Sequence, residues 1–242
     1  MAIIATAFYQ ERHNLALDLM DAGAMPTADS DHPLIIEREG PNGKERGFKL
    51  RHHRENPNAP LSPFFFNLRM PGSSRPGPLT TKLVDRAAQC MRGLQIEHDL
   101  VFAFDAIVGI PRAGTPFARS FAQIAGVECI PMIKWEHGEK RHIASPVSIP
   151  ANVQEVLVID DVVSEAGSKL ETIEILRSEG VTVDHVMVLV DREQGGREKL
   201  SELNCELHSV FTITEMLDIY VDAGKLRPEM RSRIHAYRTS QI

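Results

Sequence analysis

The sequence is poor in cysteine and contains no long apolar run. Its 242 residues include three cysteines, Cys90, Cys129 and Cys205, and no CxxC pair, so neither a disulfide framework nor a zinc site is predicted. The short apolar run near the N-terminus meets Glu11 and Arg12 too early for a signal peptide or a membrane span. We therefore expect a cytoplasmic protein without export and without a membrane partner.

An excess of positive charge is also lacking. The chain has 27 Lys and Arg against 33 Asp and Glu, for a formal net charge of −6. This balance argues against general nucleic-acid binding but leaves room for local basic clusters that hold a small anion. With 43% hydrophobic residues, a chain of this length can bury a substantial core, and any phosphate site must be local.

Helical and extended patterns alternate along the chain. In order, they predict a helix over 7–24, a hairpin turning at Pro41-Asn42-Gly43, a helix over 79–94, a strand over 100–110, a helix to about 125, a strand over 127–133, a polar loop over 134–146, a strand over 155–160, a helix over 168–179 and a strand over 183–191. Such alternation is typical of a parallel sheet built from right-handed crossovers. We divide the chain into an N-terminal region 1–78, a core 79–225 and a tail 226–242, which we expect to be a solvated end.

The clearest candidate site lies in VLVIDDVVSEAGSKLETIEILRSEG, from Val156 to Gly180. Asp160 and Asp161 are predicted at the carboxyl end of a buried strand, where ligands bind in such sheets. The loop 164–168 leads into a helix whose first backbone N–H groups can bind phosphate, and its small residues permit close approach. The carboxylates can accept hydrogen bonds from sugar hydroxyls and lie near Mg²⁺. A phosphorylated sugar satisfies both halves.

This stretch also resembles a known motif. An apolar strand, Asp-Asp, two apolar residues, a hydroxyl residue and a small-residue loop are similar to the phosphoribosyl pyrophosphate motif of type I phosphoribosyltransferases. DREQGGREKL (191–200), LHSVFTITEMLDIY (207–220) and LSPFFFNLR (61–69) resemble segments of orotate phosphoribosyltransferases, particularly the domain in UMP synthase. The resemblance implies the α/β fold of that family, a parallel sheet flanked by helices, with a small N-terminal hood of helix plus hairpin.

The resemblance implies transfer of phosphoribose from phosphoribosyl pyrophosphate to orotate, giving orotidine 5′-phosphate and pyrophosphate in pyrimidine synthesis. It further implies a homodimer and Mg²⁺ carried by the substrate near Asp160 and Asp161, without direct protein ligands. Arg192 offers a planar fork that matches the carboxylate or a ring carbonyl of orotate. The phenylalanines at 64–66 either flank the base or belong to the core. The substrate-binding residues implied are Lys49, Phe65, Phe66, Arg112, Asp160, Asp161, Ser164, Glu165, Ala166, Gly167, Ser168 and Arg192; the catalytic ones are Lys134, His137 and Asp161.

The match breaks at the family's mobile catalytic loop, roughly Arg-Lys-x-x-Lys-x-His/Tyr-Gly. In IPMIKWEHGEKRHI, His137 and Gly138 fit, but an ungapped alignment puts Trp135 at the catalytic lysine, whereas a deletion of about three residues aligns Lys134 with the first basic positions. Glu165 also stands where the family has a small residue. Three interpretations stay open: an orotate phosphoribosyltransferase with a modified loop, a phosphoribosyltransferase for another acceptor, and a non-catalytic sensor or partner subunit that binds phosphoribosyl pyrophosphate.

Overall fold

The computed structural model describes residues 2–40, 43–54, 56–73, 75–97, 104–137, 140–144 and 148–240, with the backbone alone for residues 2–5, 51, 52, 97, 134–137, 140–142 and 144. The helices in these ranges are α1 (Ala2–Asp21), α2 (Thr81–Glu97), α3 (Gly114–Ala125), α4 (Gly167–Ser178), α5 (Gly196–Glu202), α6 (Ile213–Asp222) and α7 (Pro228–Thr239), with a 3₁₀ turn at Arg51–Arg54. The strands are β1 (Ile35–Gly40), β2 (Gly43–Phe48), β3 (Ala106–Gly109), β4 (Glu128–Ile130), β5 (Ile133–His137), β6 (Lys140–Ala144), β7 (Glu155–Val163), β8 (Thr182–Asp191) and β9 (Glu206–Thr212).

Five parallel strands form the central sheet, in the order β4-β3-β7-β8-β9. Val158 at the centre of β7 pairs with Val108 of β3 on one side and with Val186 of β8 on the other. Both faces of β7 are covered, which explains why its buried residues from Val156 to Ile159 are all apolar. The predicted α/β fold with a parallel sheet flanked by helices is confirmed.

Alternate residues of the central strands face two hydrophobic layers. Leu157 and Ile159 belong to a layer that includes side chains of α1, α2, α3, α6 and α7, whereas Val156 and Val158 belong to a layer completed by α4 and α5. Each fully buried aliphatic side chain of this kind contributes about 1.5–3 kcal/mol. The two layers therefore hold the strand register that positions the loops at the carboxyl edge of the sheet.

The predicted N-terminal hood of helix plus hairpin is present. Strands β1 and β2 form an antiparallel hairpin, whose predicted turn residues Pro41 and Asn42 lie outside the described residues. Phe48 at the end of β2 makes an isolated bridge to Ser62, and Thr27 makes another to Phe64. The segment that carries Phe64–Phe66 is thereby tied to the hairpin and to the chain that follows α1.

The prediction of a polar loop over 134–146 was wrong, because β5 and β6 pair as an antiparallel hairpin from Ile133↔Ala144 to His137↔Lys140. An antiparallel ladder satisfies the backbone groups of a polar segment without requiring a continuous apolar face. Ile143 is buried in the layer beneath α4, and its N–H donates to Glu171 of α4 at 2.7 Å. The hairpin is therefore attached to the same helix that follows the predicted phosphate loop.

The prediction of a solvated C-terminal end was also wrong. Residues 228–239 form α7, and Met230, Ile234 and Tyr237 are buried on one of its faces. Their spacing of four and three residues makes an apolar stripe, which the surrounding arginines obscure in the sequence. The division at residue 226 stays a prediction, but the tail packs on the core.

Other element bounds differ from the predictions by small amounts. The first helix begins at residue 2 and ends at 21, the second runs over 81–97, and the strand predicted over 100–110 is β3 at 106–109, with residues 100–103 outside the described part. Strand β7 continues to Val163, past the predicted end at residue 160. No helix within the described residues is long and apolar enough to cross a membrane.

Candidate functional site

Three loops meet at the carboxyl edge of the sheet, after β3, β7 and β8. The first loop contacts β7 so closely that a Cβ atom on Gly114 would lie 2.7 Å from Oδ1 of Asp160. The third loop contacts the second in the same way, since a Cβ atom on Gly196 would lie 2.4 Å from the carbonyl oxygen of Ser164. Glycine at these two positions allows the loops to converge.

Asp160 is neutralised by a buried lysine. Asp160 and Lys169 are each only 4% exposed, and Nζ of Lys169 donates to Oδ2 of Asp160 and to the carbonyl oxygen of Val162. The other carboxylate oxygen of Asp160 accepts a 2.9 Å hydrogen bond from the N–H of Asp161. Because both charges are desolvated, removing either one would leave the other uncompensated.

Lys169 was missed by the sequence reasoning, although a signal was present. Lys169, Thr172, Ile173 and Leu176 all lie on the buried face of α4, so the lysine occupies a position of the apolar stripe. A buried lysine in the first turn after an Asp pair requires a carboxylate partner. Asp160 is that partner, and it lies in the preceding strand.

Asp161 has a different environment from Asp160. Burial and the negative charge of Asp160 raise its pKa, while Lys169 and Arg69 act in the opposite direction. No cation of the described residues lies within ion-pair distance of its carboxylate. Strand β7 runs two residues past it, so Asp161 lies inside the strand near its carboxyl end, not at the predicted terminus. The raised pKa therefore reflects burial and the adjacent carboxylate, which the nearby cations do not fully offset.

The loop between β7 and α4 contains a residue in the left-handed conformation. Ala166 has φ +60° and is buried, and its carbonyl oxygen accepts hydrogen bonds from the N–H groups of Lys169 and Leu170. Nothing lies within 4 Å of a Cβ atom built on Gly167. The start of α4 is therefore open beside Gly167, where an anion could approach the helix terminus.

Glu165 points away from this opening. Its side chain is 77% exposed and lies 3.7 Å from Nζ of Lys199 in α5. An exposed, screened charge of this kind repels a bound phosphate only weakly. The substitution of a small residue by Glu165 is thus compatible with phosphate binding, and any contact from this position to a ligand would come from its backbone.

Two arginines line a cleft beside the loop after β3. Arg112 is exposed on that loop and follows a cis peptide bond from Pro111. Arg69 lies at the end of the predicted LSPFFFNLR motif and was not singled out from the sequence. The cleft is lined by Arg69, Met70, Ser73, Arg112, Ala113 and Pro116. Two guanidinium groups at one opening favour a polyanion such as pyrophosphate.

Arg192 lies in the loop after β8, with its guanidinium over the ring of Phe64. The distance from the guanidinium carbon to the ring centroid is 5.0 Å, and burial lowers the pKa of Arg192 to about 10. Among the described residues, no acceptor lies within hydrogen-bond reach of its buried Nε atom. A desolvated cation with an unsatisfied donor favours an anionic ligand.

Helix α7 holds the loop that carries Arg192. Glu193, at φ +52°, accepts hydrogen bonds from Thr214 and from Arg238, the latter at 2.9 Å. The Nε atom of Arg238 also donates to the carbonyl oxygen of Arg192 at 3.1 Å. Neither Glu193 nor Arg238 was predicted as a site residue. The partners are 45 residues apart, so no local pattern connects them.

The remaining predicted residues are placed as follows. Phe66 packs edge-on against Phe64, with ring centroids 5.8 Å apart, whereas the ring of Phe65 lies 5.9 Å from Phe48 of the hairpin. Lys49 is exposed directly after β2, and no described contact joins it to Asp161 or Arg192. Lys134 and His137 belong to β5, but their side chains lie outside the described residues, so their roles stay predictions.

The fold and these loops define an α/β protein whose candidate ligand site lies at the carboxyl edge of a parallel sheet. The chain belongs to the family of the phosphoribosyl transferase domain, whose model matches residues 81–218. The family resemblance stated from the sequence is therefore confirmed.

Two relatives in sequence and one solved structure agree with this family assignment. Uridine 5′-monophosphate synthase of Bos taurus is 37% identical over 139 residues, which cover 55% of this chain and 28% of that protein. Orotate phosphoribosyltransferase of Sulfurisphaera tokodaii is 33% identical over 141 residues, covering 57% and 70%. The structure of Leishmania donovani UMP synthase superposes with a TM-score of 0.64 at 22% identity, over 94% of this chain and 42% of that one. At that identity the superposition shows the fold, and this chain spans less than a third of the length of the bovine relative.

Proposed function

We propose that the protein is an orotate phosphoribosyltransferase. N1 of orotate forms a bond to the anomeric carbon of phosphoribosyl pyrophosphate as the bond from that carbon to pyrophosphate breaks. The bonding pair leaves with pyrophosphate, and the proton of N1 passes to solvent. The observation that carries the proposal is the pair of uncompensated charges at one sheet edge. Asp161 has no cation partner and Arg192 has no anion partner among the described residues.

The donor half of the site is the edge formed by β7, its loop and the neighbouring arginine cleft. We assign the ribose hydroxyls to Asp161, since a carboxylate is a strong acceptor for hydroxyl donors. The 5′-phosphate is assigned to the opening at the start of α4, beside Gly167, with Ser164 in the preceding loop and Ser168 in the first turn of the helix. Pyrophosphate is assigned to the cleft of Arg69 and Arg112, where cations would stabilise the charge that develops on the leaving group.

The residues present fit a donor that carries Mg²⁺. The ribose and pyrophosphate oxygens of the donor are the hard oxygen ligands that Mg²⁺ prefers. The carboxylate of Asp161, which has no cation partner among the described residues, would lie near the ion without binding it directly. Burial and the neighbouring charge raise the pKa of Asp161, and a divalent cation nearby would relieve both effects. When bound with the donor, Mg²⁺ supplies positive charge that helps to neutralise the departing pyrophosphate.

The acceptor half is the loop after β8. We assign the carboxylate of orotate to Arg192, because a planar guanidinium can donate two parallel hydrogen bonds to a carboxylate. The ring of Phe64 supports the guanidinium from one side, and Arg238 supports its backbone. Phe65 and Phe66 stay predicted contacts of the base, and Lys49 a predicted contact of the substrates.

The β5–β6 hairpin supports a second candidate, a protein that binds phosphoribosyl pyrophosphate without turning it over. The family's catalytic loop is mobile, as the resemblance implies, whereas this stretch forms a short hairpin tied to α4 through Ile143 and Glu171. Lys134 and His137 are on that hairpin, and their predicted catalytic roles depend on side chains outside the described residues. A donor-binding sensor would keep the Asp161 half of the site and lack turnover.

The homodimer implied by the resemblance and the cytoplasmic location expected from the composition of the sequence are further parts of the proposal. A dimer would let the β5–β6 hairpin of one chain complete the site of its partner. Light scattering of the purified protein measures the mass directly, and a mass that matches one chain of 27.0 kDa would refute the shared site.

The deciding experiment follows orotate by its ultraviolet absorbance in the presence of Mg²⁺ and phosphoribosyl pyrophosphate. We expect loss of absorbance together with release of one pyrophosphate per orotate, and no change when the donor is omitted. Uracil in place of orotate serves as the acceptor without a carboxylate. No turnover of orotate, with donor binding still visible by calorimetry, would reject the enzyme in favour of the sensor. Turnover of uracil alone would indicate another acceptor.

A further inference from the structure

Three side chains with metal-binding atoms lie together at the amino-terminal edge of the central sheet. His185 is in β8, and Glu206 and His208 are in the neighbouring strand β9. His185 pairs with Glu206 in the parallel register, and Met187 pairs with His208. Because residues two apart on a strand point to the same face, all three side chains project from one face of the sheet.

The cluster is distant from the candidate active site. His185 precedes Asp191, the last residue of β8, by six positions, which corresponds to about 20 Å along an extended strand. The site therefore lies near the opposite end of the strands from Asp161 and Arg192. A metal site in this cluster is therefore independent of the proposed function.

The distances between the three candidate ligand atoms match a metal site. Nδ1 of His185 lies 3.0 Å from Nε2 of His208, and Oε2 of Glu206 lies 3.9 Å from the first atom and 4.0 Å from the second. A point equidistant from three atoms so arranged lies about 2.1 Å from each, and protein zinc sites have Zn–N distances of about 2.0–2.1 Å and Zn–O distances of about 2.0–2.2 Å. A cation would need little movement of the side chains.

We propose that His185, Glu206 and His208 form a binding site for a divalent transition metal of the Zn²⁺ class. Two imidazoles and one carboxylate suit Zn²⁺ and its neighbours in the first transition row, whereas Mg²⁺ prefers oxygen ligands alone. The side chains of His185 and His208 are 21% and 6% exposed, and that of Glu206 is 63% exposed. The cluster thus opens to solvent on the glutamate side, where water completes the coordination.

The bound ion would join the edge strand β9 to β8. All three ligands sit on the parallel ladder that runs from His185↔Glu206 to Asp191↔Thr212, so their spacing is held by backbone hydrogen bonds and not by a loop. An unfolded chain does not keep these atoms together. An ion that binds the folded state alone stabilises it by mass action, and the site is therefore structural.

The competing arrangement is a hydrogen bond between the two imidazoles. At 3.0 Å, one ring can donate a proton from Nδ1 of His185 or from Nε2 of His208 to the other. A metal replaces that proton, since both atoms must offer lone pairs to the ion. The metal site binds a cation from solution, whereas the hydrogen-bonded pair of imidazoles does not, so a metal titration distinguishes the two arrangements.

The test uses the full chain, stripped with a chelator and free of substrates, titrated with Zn²⁺ in competition with a chromophoric indicator. The first variant is Glu206→Gln, because this exposed side chain can change without loss of the fold, and the matched control is Glu229→Gln, an exposed glutamate in α7. We expect the wild type to bind one equivalent of Zn²⁺ and Glu206→Gln to bind it at least about 10-fold more weakly. Even residues that only hydrogen-bond to metal ligands change metal affinity by about 10–100-fold when they are replaced. The control should bind as the wild type does.

Two further measurements, Co²⁺ absorption and thermal unfolding with Zn²⁺, test the same metal site. Co²⁺ should give visible d–d bands with the wild type that are absent from His185→Gln, and Zn²⁺ should raise the thermal midpoint of the wild type and of Glu229→Gln but not of Glu206→Gln. Absence of Zn²⁺ binding by the wild type would overturn the proposal. So would equal affinity and stoichiometry in Glu206→Gln, which would assign the bound ion to other histidines. Turnover with orotate, if present, should be the same in Glu206→Gln and Glu229→Gln.

Discussion

At the end of β7, two adjacent aspartates differ in how their charge is compensated. Asp160 is paired with the buried Lys169, whereas Asp161 has no cation partner among the described residues. In the loop after β8, two adjacent residues differ in the same way with the signs exchanged. Glu193 is paired with Arg238, and the neighbouring Arg192 lacks an acceptor for its buried Nε atom. In each loop, one charged side chain is paired internally and its neighbour is not.

The comparison indicates how the site is kept ready for its ligands. The internal pair holds the backbone of each loop, through Val162 in one case and Arg192 in the other. The unpaired member is desolvated at a cost, which raises the pKa of Asp161 and lowers the pKa of Arg192. Both changes favour the neutral form. In the proposed function, Mg²⁺ near Asp161 and the carboxylate of orotate at Arg192 would offset that cost on binding, and the two loops would act as complementary halves of one site.

Removal of the internal cation at β7 is the largest expected effect. Lys169→Met leaves Asp160 buried without a partner, and we expect a loss of about 3–5 kcal/mol in the free energy of unfolding measured with urea. The double variant Asp160→Asn, Lys169→Met should recover most of this loss. As a matched control, Lys225→Met removes the half-exposed pair with Asp21 and should cost less than about 1 kcal/mol. A single variant as stable as that control would refute the account of Asp160.

The unpaired carboxylate should separate binding from stability. Asp161→Asn removes a charged acceptor of two ribose hydroxyls, each worth about 1.5–3 kcal/mol, so calorimetry should show donor affinity reduced by at least about 100-fold. Because the pKa of Asp161 is higher in the folded protein than in the unfolded chain, its ionisation above the ordinary aspartate range favours unfolding. The free variant should therefore be more stable than the wild type at neutral pH, and the difference should vanish in acid.

The control for this prediction is Asp222→Asn, at an exposed aspartate that ends α6. It should leave both donor affinity and stability unchanged. Unchanged donor affinity in Asp161→Asn would remove the central assignment of the site. Lower stability at neutral pH would contradict the raised pKa.

Several parts of this site could be predicted from the sequence because the signal is local. One short stretch contains Asp160, Asp161 and the loop 164–168. The apolar runs of β7 and β8 place this stretch at the edge of the sheet. Lys169 was also within reach, since it falls on the apolar stripe of α4. The hairpin β5–β6 was missed because most of its residues are polar, and backbone pairing alone does not appear in a hydrophobic pattern.

Other parts could not be predicted, because they depend on contacts between distant segments. The pairing of Glu193 with Arg238 joins residues 45 apart, and the stacking of Arg192 on Phe64 joins the loop after β8 to the N-terminal region. The basic composition of the tail predicts a solvated end, and the three arginines of helix α7 obscure its apolar stripe. One of those arginines, Arg238, is buried and makes three side-chain contacts to the site.

The unpaired guanidinium should determine acceptor selectivity. Arg192→Gln keeps hydrogen-bonding capacity but removes the charge and the planar fork, so we expect KM for orotate to rise roughly 10- to 100-fold, with a smaller change in kcat. Use of uracil, which lacks the carboxylate, should change little. Arg119→Gln, at an exposed arginine of α3, is the matched control. An equal loss for both acceptors would mean that Arg192 supports the loop and does not recognise the carboxylate.

The smallest expected effect concerns the left-handed residue of the β7 loop, Ala166 at φ +60°. Ala166→Gly relieves a conformational cost of about 1–2 kcal/mol, but it loses a buried methyl group worth about 0.8 kcal/mol and adds about 0.5–1 kcal/mol of chain entropy to the unfolded state. These terms nearly cancel, so urea unfolding should show a change of less than about 0.5 kcal/mol. Ala236→Gly, at an exposed position of α7, should cost about 1 kcal/mol. If Ala166→Gly were the more destabilising of the two, the left-handed conformation would not cost Ala166 the free energy assumed here.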